Sequence, residues 1–206
     1  MNDVDVTQLV ALAAALGWAS GLRLYLVVFL TGLVGHLGWV DLPGGLHVLQ
    51  QPLLLWVSGA LVAVEFLADK IPLVDSAWDA VQTVVRIPAG AALAGAVFAG
   101  SGVDGASWTV IAALVGGTLA ATAHAAKAGT RAAVNTSPEP FSNVGLSLLG
   151  DVSVPALLWL AWEHPVWFFA ALALGVVVAV VLIVTTFKFV GALWRRLRGR
   201  SVAVGV

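Results

Sequence analysis

The chain has 206 residues, 60% of them hydrophobic and only 10% charged, with a mean hydropathy of +0.99 and a formal net charge of −1. A soluble domain carries about 25% charged residues, so the composition points to an integral membrane protein, and the near-neutral balance excludes the concentrated basic surface that nucleic-acid binding needs. Cysteine is absent and His36, His47, His124 and His164 share no ligand spacing, so no metal, cofactor or redox chemistry is expected.

A spanning helix takes about 20 residues, and apolar segments of that length fall at 8–36, 52–69, 79–101, 107–128, 144–162 and 165–193. The fold class expected is all-α integral membrane, with about six transmembrane helices in one domain, 1–206. The start, Met1-Asn2-Asp3-Val4-Asp5, lacks a positive n-region, so the first apolar stretch is expected to stay as a span. That stretch is long and holds Gly17 and Gly21 just before Arg23. Two readings follow: a broken first helix that turns backbone groups toward a cavity, or a tilted, unbroken helix with a small-residue packing face.

Glu65 and Asp69 close the second segment and Asp75 and Asp79 open the third, both at i, i+4 spacing, with Lys70 in the turn between. Four carboxylates around one hairpin can hold a cation or relay protons. The alternative is a solvated hairpin with Lys70 and Arg86 as counter-charges and Asp75 as a helix cap. Asp79, Gln82, Thr83 and Arg86 form a polar stripe. Because i and i+7 lie about 10 Å apart along a helix, Asp79 and Arg86 are expected to meet only through an intermediary. Arg86 is instead expected to pair with Asp151, which continues a stripe through Asn143 and Ser147, with Arg23 nearby.

His124, Lys127 and Arg131 make a basic face on the fourth span, suited to an anionic ligand, to the acidic hairpin, or to anchoring at lipid headgroups. The polar run Asn135-Thr136-Ser137-Pro138-Glu139-Pro140-Phe141-Ser142-Asn143 reads either as a loop that caps the fifth span or as a re-entrant loop near 135–143. The sixth span is nearly featureless and suits a lipid-facing scaffold. Its basic tail, Arg195-Arg196-Leu197-Arg198-Gly199-Arg200, is expected to lie in the cytoplasm, which puts Lys70 and Arg131 inside as well and both termini on the cytoplasmic side of the plasma membrane. Halves 1–103 and 104–206 would each carry three spans, as inverted three-helix repeats do.

A charge near the bilayer centre costs roughly 2.5 to 3.5 kcal/mol on the insertion scale, so the ionisable residues of these spans should face a protein interior or a watery cavity. The substrate or ion pathway expected from them comprises Arg23, Glu65, Asp69, Asp79, Arg86, His124, Lys127, Arg131, Asn135, Glu139, Asn143 and Asp151. The leading function is a small transporter or channel for an ion or a small polar or anionic solute. The alternative is a non-transporting assembly subunit or a binder of anionic lipid headgroups. No nucleophile elbow, P-loop or HExxH helix occurs, so no enzyme is expected. The partners expected are the lipid bilayer, a small ion or polar solute, and further copies of the chain in a homo-oligomer.

The strings GLRLYLVVFLTGL (21–33), VEFLADKIPLVDSAWD (64–79), HAAKAGTRAAVNTSPEPFSN (124–143) and SLLGD (147–151) together resemble the bacterial membrane-protein family filed as domain of unknown function 4126. The resemblance covers about residues 9–190. It implies a polytopic membrane protein and supplies no substrate.

Overall fold

The computed structural model of the chain describes residues 5–71, 73–100, 105–136 and 141–202. Six α-helices account for nearly all of them: α1 Val6–His36, α2 Pro52–Ala68, α3 Val74–Phe98, α4 Gly105–Val134, α5 Phe141–Glu163 and α6 Pro165–Val202. Helix is the only open arrangement that satisfies every backbone group within hydrocarbon, and the ends follow local chemistry. The Asp5 side chain accepts from the Thr7 N–H at 3.2 Å at the start of α1. Pro52 opens α2 where its missing N–H costs nothing, and Gly100 takes φ 80° beyond the end of α3.

Five of these helices are long and apolar enough to cross a membrane, and a sixth span exists when α2 is counted with the 3-10 helix Gly44–Gln50, to which it is bent by 71°. The protein is therefore an all-helical, multi-pass membrane protein, as the composition requires. The connection 37–51 is more than a loop. Its 3-10 helix buries Leu46 and Leu49 and donates the Gly45 N–H to the Ala99 carbonyl at 3.1 Å, tying the end of α3 to the entry of α2.

Helix α1 is the most buried of the spans and packs against α2, α3, α4, α5 and, more lightly, α6, whose own surface is the most exposed. Close approach explains this centrality. A Cβ on Gly17 would stand 2.5 Å from Gly116 Cα, and one on Gly21 would fall on the Ala120 carbonyl, so α1 and α4 meet backbone to backbone. Both readings of the first segment hold in part. The glycines pack, and the helix also breaks, but at Arg23, which takes φ −148° and ψ 79° inside an otherwise helical run.

Three boundaries at the charged end of the bundle shift from expectation. Helix α3 begins at Val74 and α4 runs on to Val134, so the acidic and basic residues at their ends lie within helix. Helix α5 starts at Phe141, which puts Ser142 and Asn143 inside its first turn and not at its cap. Residues 137–140, the tip of the stretch read as a loop or a re-entrant segment, lie outside the described residues.

Candidate functional site

The C-terminal ends of α2 and α4, the N-terminal ends of α3 and α5, and the break in α1 come together at one end of the bundle. Each brings charge. Arg86 lies twelve residues past Val74, about 18 Å along the helix at 1.5 Å per residue, so it reaches well into the depth of the span. It is fully buried, as are Arg23, Arg131, Glu65, Asp69, Asp75 and Asp79. The solvated-hairpin reading of the acidic residues is therefore overturned: none of these four carboxylates faces water.

The ion pairs form one continuous network of alternating sign. Glu65 pairs with Arg86, and Arg86 Nη1 donates to Asp79 Oδ1 at 2.9 Å. Lys127 stands 3.2 Å from both Asp79 and Asp69, bridging them. Arg131 bridges the same two carboxylates in parallel, at 2.5 Å from Asp69 and 3.7 Å from Asp79. Asp69 also pairs with Arg23, which reaches on to Asp151 at 2.8 Å, and Asp151 meets Lys70 at 3.5 Å. Five helices and the α2–α3 turn contribute, and no two like charges adjoin along the chain of pairs.

Neutral groups fix the geometry. Arg23 Nη2 donates to the Ser147 carbonyl at 3.0 Å and to its hydroxyl at 2.9 Å, and Lys127 Nζ donates to the Leu22 carbonyl at 3.0 Å, one of the groups beside the helix break. Arg86 Nη1 points at His124 Nδ1 at 3.2 Å, while Thr83 Oγ1 lies 2.8 Å from His124 Nε2 and itself donates to the Asp79 carbonyl. A guanidinium can only donate, so the imidazole accepts at Nδ1 and carries its proton at Nε2. His124 is thus held as a neutral spacer. Gln82 donates to the Tyr25 hydroxyl at 3.0 Å. Lys70, in the α2–α3 turn, sits over the Phe66 ring at 3.0 Å from its centroid. Partial burial lowers its pKa from the ordinary lysine value, and Asp151 works against that shift.

Ten of the twelve residues proposed for the pathway from sequence can be placed at or beside the network: Arg23, Glu65, Asp69, Asp79, Arg86, His124, Lys127, Arg131, Asp151 and Asn143, the last buried one turn before Ser147 on α5 with neither end of its amide hydrogen-bonded. Asn135 sits apart, donating to Asp75 Oδ1 and Ser76 Oγ, both at 2.9 Å. Glu139 lies outside the described residues.

Two expected pairings are corrected. Arg86 does not take Asp151; its partners are Glu65 and Asp79, and Asp151 belongs to Arg23 and Lys70. Nor do Asp79 and Arg86 need an intermediary, because the long guanidinium stem folds back over the two turns that separate them. Asp75 is no cap; it accepts from the next residue's N–H at 2.6 Å, one position inside α3. Lys70 and Ser147 join the network although neither is among the pathway residues expected from the sequence. Ser147 stands midway in the Asn143–Asp151 stripe, and that was the signal.

A cavity of about 570 Å³ adjoins the network, bounded by α1, α4, α5 and α6. Arg23, Lys127 and Arg131 form its charged wall, and most of the rest is apolar, including Trp18, Leu146, Leu149 and Leu174. No curated protein and no solved structure matches this chain. The family described as Domain of unknown function (DUF4126) matches residues 10–185, most of the chain, and the protein belongs to that family.

Proposed function

We propose that the protein is a small transporter that moves an ion or a small polar or anionic solute across the plasma membrane, with the ion-pair network as its gate and the adjoining cavity as its solute site. The observation that carries this reading is the alternation of buried charges across five helices. Taking an ion out of water costs several kcal/mol even after relaxation, and apolar residues of like volume usually serve stability as well or better. A network of this extent therefore calls for a role beyond holding the bundle together.

Its geometry favours exchange of partners. Lys127 is equidistant from Asp69 and Asp79, Arg131 touches both, and Asp151 is shared by Arg23 and Lys70. An anion arriving from the cavity can replace one carboxylate on a cation without leaving any charge unpaired. Arg23 lies at the break in α1, so its movement need not disturb a regular hydrogen-bonded turn. The positive residues of the α2–α3 turn and the end of α4 support, under the positive-inside rule, a cytoplasmic position for this end of the bundle. No residue is assigned a bond-breaking role.

The test is flux into proteoliposomes for a panel of small anions and cations, comparing the native chain with Glu65→Gln. That substitution removes the charge facing Arg86 while keeping the side-chain shape. Selective uptake that falls at least tenfold in Glu65→Gln is expected; equal flux through both proteins would end the reading. The competing view, a lipid-headgroup binder that transports nothing, draws on the apolar lining of the cavity and predicts no uptake from either.

A further inference from the structure

The cavity has two unlike ends. Among the described residues, Arg23, Lys127 and Arg131 supply its only ionisable lining groups; their partners Asp69, Asp79 and Asp151 stand behind them and do not line it. One donor faces it unused. Arg23 is 2% exposed, yet its Nε–H has no hydrogen-bond partner, and that atom lies 3.5 Å from where a Cβ on Gly150, another lining residue, would stand. A buried guanidinium donor left unpaired is costly, and the missing side chain at Gly150 leaves room for an acceptor to reach it.

The opposite end is apolar and open sideways. Leu149 on α5 and Leu174 and Val178 on α6 line the cavity and are each about half or more exposed, so its mouth lies between these two helices on the face that meets lipid chains. A fully hydrated small anion would gain nothing from that surface and would lose its water there. A molecule with an anionic head and a hydrocarbon body matches both ends, and the volume lies within the roughly 300–1,000 Å³ of small-molecule sites.

From this we infer that the cavity binds an anionic amphiphile that enters from the bilayer between α5 and α6, its head on Arg23, Lys127 and Arg131 and its chain along Leu149 and Leu174. The inference rests on the cavity being the solute site, and it names the class of that solute. The head can be a carboxylate or a phosphate, since both accept from guanidinium and ammonium donors.

The test measures binding, so its outcome is separate from that of the flux assay. Purified protein in an uncharged detergent is titrated with 11-bromoundecanoate, and the saturable part of tryptophan quenching is followed; Trp18 lines the site. Dodecanoate and dodecyl phosphate should compete, whereas acetate, inorganic phosphate and dodecyltrimethylammonium should not. In Gly150→Asp, whose new carboxylate occupies Arg23 Nε from within the chain, affinity should drop at least tenfold with an unchanged melting temperature. Leu174→Trp, which narrows the mouth from an exposed position, should weaken binding without touching any charge. Competition by acetate or inorganic phosphate alone would make the ligand a free anion and overturn the amphiphile, as would equal competition by the cationic amphiphile. Unaltered saturable quenching in both variants would place the ligand elsewhere.

Discussion

Asp69 is the residue on which most of the network converges, since it pairs with Arg23, Lys127 and Arg131 at once. Removing one member of a buried pair costs about 3–5 kcal/mol, because the partner's charge stays behind uncompensated. Asp69→Asn should therefore lower the melting temperature in detergent sharply, and adding Arg131→Gln should cost less than the sum of the two single changes, by roughly 0.5–3 kcal/mol of coupling. Strict additivity would mean the two groups do not share an interaction. At this scale the sequence revealed which residues belong together better than it revealed their partners. Heights along a helix follow from the rise per residue, and they put Arg86 and Asp151 at similar depth. Partner choice depends also on which way each helix is rotated, and Arg86 faces the end of α2. Helical spacing also fixes only the distance between Cα atoms, so it misjudged the reach of an arginine whose partner sits two turns away.

For whole elements, hydropathy located all six helices, because only a long apolar run can lie in hydrocarbon as a helix. What it missed follows from short-range geometry. The 3-10 helix Gly44–Gln50 buries only two residues, too few to produce a periodic signal. The break in α1 falls on an arginine, which carries no intrinsic mark of a break, while the glycines that suggested one serve to bring α1 onto α4. Gly21→Val should separate these helices, since its side chain would collide with the Ala120 carbonyl, itself backbone and unable to swing aside. Overpacking of this kind costs about 1–3 kcal/mol. Because Lys127 on α4 donates to the Leu22 carbonyl on α1, Gly21→Val should also depress uptake, whereas a valine at exposed Ala170 on α6 should leave both melting and uptake unchanged.

Across the whole molecule, the absence of native cysteine allows single thiols to report side and depth. Thr130→Cys and Ser153→Cys, both half-buried at the cavity, should react with a membrane-impermeant maleimide applied from the cytoplasmic face. Gln51→Cys, exposed at the opposite end of the bundle, should react only from outside, and Ala15→Cys, fully buried, from neither. Labelling of Gln51→Cys from the same side as Thr130→Cys would overturn the topology proposed above. That the charged residues converge was legible in composition alone, since a greasy bundle leaves ionised groups few places to go. The lateral mouth and the two-ended character of the cavity were not, for they arise from how α5 and α6 lean on α1 and α4, which no single segment encodes.

The alternating pairs carry one more implication, for how the protein responds to voltage. The paired groups are Arg23, Lys70, Arg86, Lys127 and Arg131 against Glu65, Asp69, Asp79 and Asp151, and Asp75, buried one turn before Asp79 on α3 and outside the pairs, brings the described charges gathered at this end of the bundle to five of each sign. A membrane potential acts on net charge, at about 2.3 kcal/mol per elementary charge per 100 mV, and a balanced set that trades partners while moving as a unit gives it almost nothing to pull on. Rearrangement of the empty protein should thus produce no gating current, and any current that appears belongs to the cargo itself.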